Sequence, residues 1–192
     1  TNALPEIVKE TFNKTIDTGI KHGTVTVMIK RVGYEVTTYR IDGEYTDGRH
    51  PKEVIYTSDL AEDLKRRDFT INAMAYNYRT GIIDKFNGVE DIENKIIRCV
   101  GNPTDRFKED ALRMLRAIRF SAQLDFSIDK ETYEAIKLLA ENLSLISKER
   151  IQAELTKTIT SENPDRIIHI CKLGLYPYIF AEGSSLSQGN TG

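Results

Sequence analysis

Cysteine is scarce in this chain. Its 192 residues include only Cys99 and Cys171, too few and too far apart for a disulfide framework or a zinc pattern. A reduced, cytoplasmic setting suits them best. Long apolar runs are also missing: no stretch approaches the roughly 18 residues of a membrane span, and none reads as a signal peptide. No membrane partner is therefore expected. Charge of one sign is not in excess either. Lys and Arg number 27 against 29 Asp and Glu, a net charge of −2, which excludes a uniformly basic nucleic-acid coat but leaves room for a local basic stripe. His22, His50 and His169 show no ligand spacing and read as structural or surface residues. No Walker or Rossmann glycine signature occurs, and no nucleophile elbow. What is present suits a packed core, with 40% hydrophobic and 29% charged residues, a balance that argues against global disorder. The length fits one large domain, or one domain plus a helical attachment. The chain opens at Thr1 without a methionine and is read as a piece of a longer protein.

The first part is mixed α/β. Residues 5–14 form a short helical pattern, with Pro5 near its first turn and Ile7, Val8 and Phe12 on one side. Residues 24–30 and 34–41 read as two strands with Gly33 in the turn between them, the pattern of a hairpin. Residues 42–56, with Gly43, Gly48 and Pro51 among many charges, read as a mobile loop. A helix follows from Ser58 or Asp59 to about Arg67, with Asp59 and Glu62 spaced as a capping box. Residues 70–78 are ambiguous between helix and strand, and Thr80-Gly81 is a turn. From about Asp105 four helical patterns follow, over 107–122, 130–142, 147–160 and 164–174. Pro103 and Pro164 mark helix starts and Gly174 a helix end. The Ser- and Gly-rich last residues suggest a flexible tail. The expected division is a head over 1–101, a helical neck over 102–180 and a tail over 181–192.

Three segments can carry chemistry. On a helical wheel of 107–122, Phe107, Ala111, Leu115, Ile118 and Ala122 share one side and should face a core. Glu109, Arg113 and Arg116 lie opposite, with Arg106 and Asp110 at the edge. One reading is a solvated charged face with a Glu109–Arg113 ion pair, worth about 0.2–0.5 kcal/mol. Another uses hydrogen-bond chemistry. A carboxylate only accepts and a guanidinium only donates. Cytosine and adenine each set an exocyclic amine beside a ring-nitrogen acceptor, so Asp110 can accept from the amine while Arg113 donates to the ring nitrogen. Guanine and uracil put a carbonyl where the amine would be, and the carboxylate repels it. In the second segment, Arg66 and Arg67 suit phosphate through their planar forks, and Asp68 and Asn72 can bond ribose hydroxyls. The alternative there is a plain helix C-terminus whose arginines favour the dipole. In the third, Glu35, Thr37 and Tyr39 share a strand face. Glu35 can supply an oxygen ligand to Mg²⁺, or it is an ordinary exposed strand carboxylate. Ser147 reads as an N-cap, and the charges of Lys148, Glu149 and Arg150 can brace the neighbouring helix.

Four stretches in this order carry a family resemblance: RRDFTINAMA from Arg66, NPTDRF from Asn102, EDALR from Glu109 and SKERIQAEL from Ser147. Over roughly residues 1–180 the chain resembles the bacterial tRNA nucleotidyltransferases of the poly(A) polymerase-like class, and within them the CCA-adding enzymes. The resemblance implies an α+β fold, with a partial polymerase-β-like nucleotidyltransferase head of mixed or antiparallel sheet followed by an all-helical neck. It implies transfer of CMP and AMP from CTP and ATP to a tRNA 3′ end, with Mg²⁺. It assigns nucleotide binding to Arg66, Arg67, Asp68, Asn72, Asp110 and Arg113, adds Arg116 and Arg119 as triphosphate or neck contacts, and makes Glu35 a third catalytic and metal-binding carboxylate. The family's Gly-Gly turn and Asp-x-Asp pair do not occur in this sequence, so the chain is expected to be a catalytically incomplete fragment. A poly(A) polymerase, an A-only or CC-only adding relative, and a non-catalytic nucleotide- or RNA-binding module are the alternatives. A purely helical interaction domain leaves the joint occurrence of RRDFTINA and EDALR unexplained.

Overall fold

The computed structural model describes residues 1–43 and 54–180. They form two compact units, one of Thr1–Arg67 with Asn72–Phe86, the other of Asp68–Ile71 with the chain from Asn87 onward.

The first unit opens with α1 (Pro5–Thr11), whose proline sits in the first turn, where its missing N–H costs nothing. Strands β1 (Thr15–Gly19), β2 (Thr24–Ile29) and β3 (Val32–Thr37) make an antiparallel sheet in that order. The β2–β3 register sets Val25 against Val36, Thr26 against Glu35 and Val27 against Tyr34. Side chains alternate between faces, so Val25 and Val27 join Val8 of α1 in a small core, with Ala3 and Val36 against it. The other face is polar: Thr24 meets Thr37, Thr18 meets Thr26, and Glu35 lies among them.

The expected turn at Gly33 is corrected by the structure. The chain turns at Lys30 and Arg31, both at positive φ, and Gly33 lies inside β3 opposite Met28. A Cβ on Gly33 would come within 3.0 Å of Thr26 Cγ2, so this glycine permits a close approach rather than a turn. The strand expected over 34–41 is also broken. After Thr37 the chain continues into β4 (Arg40–Asp42), which pairs antiparallel with β5 (Val54–Tyr56). Much of the loop expected over 42–56 lies outside the described residues.

Helix α2 (Leu60–Lys65) starts at Asp59, which accepts from the Ala61 N–H at 2.8 Å. The reciprocal bond expected from Glu62 is made by Thr57, whose hydroxyl accepts from the Asp59 N–H. The ambiguous stretch resolves mainly as a strand: β6 (Met74–Asn77) pairs with β7 (Gly81–Asp84), and Gly81 supplies the left-handed residue at the turn.

In the second unit, Asp68–Ile71 runs beside residues 98–100: the Thr70 N–H donates to Arg98 O and the Val100 N–H to Asp68 O. The other elements are α3 (Gly88–Glu93), β8 (Ile96–Ile97), α4 (Pro103–Glu109), α5 (Leu112–Leu124), β9 (Ser127–Ile128), α6 (Lys130–Leu138), α7 (Lys148–Ile159), α8 (His169–Lys172) and α9 (Tyr176–Phe180). β8 and β9 pair in parallel. The core gathers Phe69, Ile97, Phe107, Met114, Leu115 and Ile136 with further aliphatic residues. Each such fully buried side chain contributes about 1.5–3 kcal/mol. All five residues assigned to the apolar side of the wheel are buried.

The single helix expected over 107–122 is not formed. Asp110 is extended, with φ −149° and ψ 104°, and separates α4 from α5. The Asn102 carboxamide oxygen caps α4 by accepting from the Thr104 and Asp105 N–H groups. The pattern over 130–142 ends as a helix at Leu138 and continues as a 3-10 turn over Ala140–Leu145. The pattern from Pro164 begins as a 3-10 turn before α8, and Gly174 at φ 72° closes it. The expected tail lies outside the described residues.

Candidate functional site

The break at Asp110 creates the main cluster of the second unit. With the backbone extended there, the Asp110 carboxylate folds onto the start of α5: Oδ1 accepts from the Leu112 N–H at 3.0 Å. Its Oδ2 accepts from Arg150 of α7 at 2.8 Å. Arg113 donates from Nη1 to Glu109 Oε2 at 2.7 Å and to the Arg106 carbonyl at 3.3 Å. Arg106 also pairs with Glu109. Glu109 and Arg113 retain only 21% and 11% of their side-chain surface, so this is not a solvated charged face. Asp110 and Arg113 are each held by a partner of opposite charge, Arg150 and Glu109, and the Arg113 N–H donates to the Asp110 carbonyl at 3.1 Å.

Asp68 joins the same unit. Its Oδ1 accepts from the Phe69 N–H and its Oδ2 from Arg116 Nε at 2.7 Å. The segment carrying it is anchored from behind. The Thr70 hydroxyl donates to buried Asp91, and Arg98 bridges Asp91 to Asp129. Phe69 packs edge-on against Phe120, and the Arg116 and Arg119 guanidinium groups lie over the Phe120 ring at 5.4 and 4.1 Å. Arg119 Nε lies 2.6 Å from Glu154 Oε2, with both side chains almost fully buried. Burial pulls the Arg119 pKa down, and Glu154 opposes that shift.

The remaining expected residues belong to the first unit. Arg66 donates from Nε and Nη2 to Asp63 Oδ1 at 3.0 and 2.8 Å. Arg67 donates to Asp63 Oδ2 and to the Asn72 carbonyl. Burial pushes the Asp63 carboxyl up, but the two arginines and the Arg40 N–H outweigh it and hold the group below its usual range. Glu35 lies on the exposed polar face of the sheet, opposite Thr26. Among the described residues no group of three or more His, Cys, Asp or Glu is placed to hold a metal ion. One carboxylate among threonine hydroxyls does not make a Mg²⁺ cage, which takes about six oxygens in octahedral geometry. Burial pushes the Cys99 thiol up to about 12, which makes it a neutral core residue rather than a nucleophile.

Two functional partners escaped the sequence reading. Asp63 carried a signal, since an acid followed at i+3 and i+4 by two arginines forms ion pairs on a helix. Glu154 carried another: it interrupts the buried stripe Ile151, Glu154, Thr158, and a carboxylate in such a stripe requires a cation. Ser147 does stand at the start of α7, but its side chain makes no capping bond. The bracing expected from the charges there is made by Arg150 on Asp110.

Residues 1–98 match the family described as "Poly A polymerase head domain". The chain belongs to that family. Residues 125–186 match a second family, described as "Probable RNA and SrmB- binding site of polymerase A". The CCA-adding enzyme of Ligilactobacillus salivarius is 50% identical over 163 residues, which is 85% of this chain and 40% of that protein. The Bacillus stearothermophilus CCA-adding enzyme in complex with CTP superposes with a TM-score of 0.84 at 44% identity, over 93% of this chain and 43% of that one. The Thermotoga maritima CCA-adding enzyme complexed with tRNA gives a TM-score of 0.72 at 29% identity, over 95% of this chain and 42% of that one. The chain thus spans about two fifths of the length of these relatives. The expected α+β class, with a polymerase-β-like head and helices after it, is the fold that these family members share. No helix among the described residues is long and apolar enough to cross a membrane.

Proposed function

We propose that this chain is the nucleotide-selecting portion of a tRNA nucleotidyltransferase that adds CMP and AMP to the tRNA 3′ end, with CTP and ATP as substrates. The observation that carries this reading is the braced Asp110–Arg113 pair. Arg150 holds the acceptor group and Glu109 the donor group, at positions three residues apart, and an acceptor with a donor is the pattern that matches the amine and ring nitrogen shared by cytosine and adenine. The carboxylate has about four lone-pair sites and the guanidinium five N–H donors, so each can hold its brace and still meet a base edge. The CTP named for the Bacillus stearothermophilus structure and the tRNA named for the Thermotoga maritima structure are consistent with these substrates.

Asp68 is assigned to a ribose hydroxyl and Arg116, which it orients, to a triphosphate oxygen. Arg119, paired with Glu154, serves as a neck contact. In the first unit, Arg66 and Arg67 are assigned to phosphate oxygens, with Asp63 aiming their forks, and Asn72 to the sugar. In the transfer itself the RNA 3′ oxygen bonds to the α-phosphorus. The P–O bond to pyrophosphate breaks, pyrophosphate leaves with the bonding pair, and the hydroxyl proton passes to water. Glu35 is assigned one oxygen ligand of Mg²⁺. Among the described residues it is a single ligand, and Mg²⁺ takes several more oxygens. A reduced, cytoplasmic setting belongs to the same proposal.

The single-carboxylate donor set favours a second reading for the chain by itself, as a module that binds nucleotide and RNA without transfer. Separate titrations with CTP, ATP, GTP and UTP test the base reader. Binding of CTP and ATP with rejection of the other two is expected, and equal binding of all four overturns it. Incubation with Mg²⁺, CTP and an RNA then separates the readings, since added nucleotide shows an enzyme and binding without addition shows the module.

A further inference from the structure

The β2–β3 hairpin turns through Lys30 and Arg31 at φ 48° and 69°. A two-residue turn with both central residues at positive φ is normally Asn-Gly, because a Cβ there crowds the backbone. Lys-Arg is the wrong chemistry for the turn, and the nearby glycine, Gly33, is committed to the contact with Thr26. Both cations are exposed. The backbone carbonyl of exposed Lys14 accepts from the Met28 N–H, which places a third cationic residue at the same end of the sheet. Among the described residues none of the three has an ion-pair partner, although the whole chain is net acidic. Beside them Ile29, Val32 and Tyr34 are about half exposed, with Ile29 paired to Val32 and Tyr34 to Val27. Clustered cations next to an exposed aromatic ring suit single-stranded nucleic acid, whose phosphates take the charges while a base stacks on the ring. An acidic peptide would leave the apolar shelf without a role.

We propose that this hairpin tip, Lys30 and Arg31 with Lys14 and Tyr34, docks the single-stranded 3′ region of an RNA substrate. The strain of the turn persists because charge is required at that point. The proposal rests on the nucleotidyltransferase reading, which supplies an RNA end. The tip lies four residues along β3 from Glu35, about 14 Å at the usual strand rise, so it would grip the strand upstream of its terminus.

The test measures the affinity of the 192-residue chain for a tRNA transcript lacking its last three nucleotides, across a salt series. The double variant Lys30→Asn/Arg31→Gly removes the charges and relaxes the turn, whereas Lys30→Gln/Arg31→Gln removes the charges and keeps the strain. Both are expected to lower the salt slope by about 1.4 and the affinity in 0.1 M salt by about 25-fold, the counterion-release effect of two single-strand phosphates. Only the Asn-Gly variant should melt at a higher temperature than the parent. Tyr34→Ala should weaken binding without changing the slope. An unchanged affinity in both double variants overturns the proposal. So does a loss confined to Asn-Gly, failure of the parent to bind the transcript, or equal competition by polyglutamate. The nucleotide titrations report separately on the base reader: tip-dependent RNA binding without nucleotide discrimination overturns that reading and leaves the docking tip standing.

Discussion

Arg113 meets both Glu109 and the Arg106 carbonyl through Nη1, which restrains its guanidinium. Replacing Arg113 by alanine should weaken CTP and ATP together. A hydrogen bond to a charged group is worth about 1.5–3 kcal/mol, so a loss of roughly 10- to 150-fold is expected by calorimetric titration; normal binding of both nucleotides would remove Arg113 from the reader. Asp68 supports a second prediction at this scale. On the proposed contact with a sugar hydroxyl, Asp68→Ala should cost CTP more affinity than dCTP. An equal loss for both would mean that Asp68 acts only by orienting Arg116.

At the scale of elements, α7 makes two charged contacts of different burial, one with the break before α5 and one with α5 itself. Arg150 to Asp110 is partly exposed, and Arg119 to Glu154 is almost fully buried. Removing one member of a buried pair strands the other charge, at a cost of about 3–5 kcal/mol, whereas replacing both with apolar residues of similar volume is often neutral or stabilising. Glu154→Leu should therefore lower the denaturation midpoint sharply, and Arg119→Met added to it should restore much of the loss. If the double variant is as unstable as the single one, the Arg119 guanidinium stabilises the unit through Phe120 rather than through Glu154. Asp110 links this scale to the proposed function, because the carboxylate assigned there to the base also accepts from the first N–H of α5. A variant there should change helix stability and nucleotide affinity together.

For the whole molecule, each unit carries its own acid-sensitive group. In the second unit, burial first, then Arg166 and Lys172, pull the His169 pKa below its ordinary value. The unfolded chain therefore takes up that proton before the folded one does. Stability from neutral His169 is complete above about pH 6.5, the ordinary histidine value, and declines as pH falls through the lowered folded value. In the first unit the Asp63 carboxyl is held below its usual range, so its contribution is complete above about pH 4 and disappears as pH falls further. Thermal melts against pH should show a mildly acidic decline that His169→Gln removes and a strongly acidic decline that Asp63→Asn removes. If His169→Gln leaves the first decline intact, another group in the second unit is responsible.

The sequence by itself determined which residues face the second unit's core and where several elements begin, because these depend on local spacing. Phe107, Ala111, Leu115, Ile118 and Ala122 recur at helical intervals, and Asp59, Asn102, Pro103 and Pro164 act on backbone groups within a few residues. The pairing of Glu109 with Arg113 was legible for the same reason. Tertiary structure alone decided the break at Asp110. Helical periodicity runs straight through that position, and the Asp110 carboxylate meets Arg150, 40 residues away, only once the chain has folded. It also decided that Gly33 is a packing residue and Lys-Arg the turn, since the contact with Thr26 exists only once β2 and β3 are in register. Asp68 with Arg116 and Arg119 with Glu154 are likewise contacts between distant segments, and a carboxylate shows its partner only after the chain has brought the guanidinium to it.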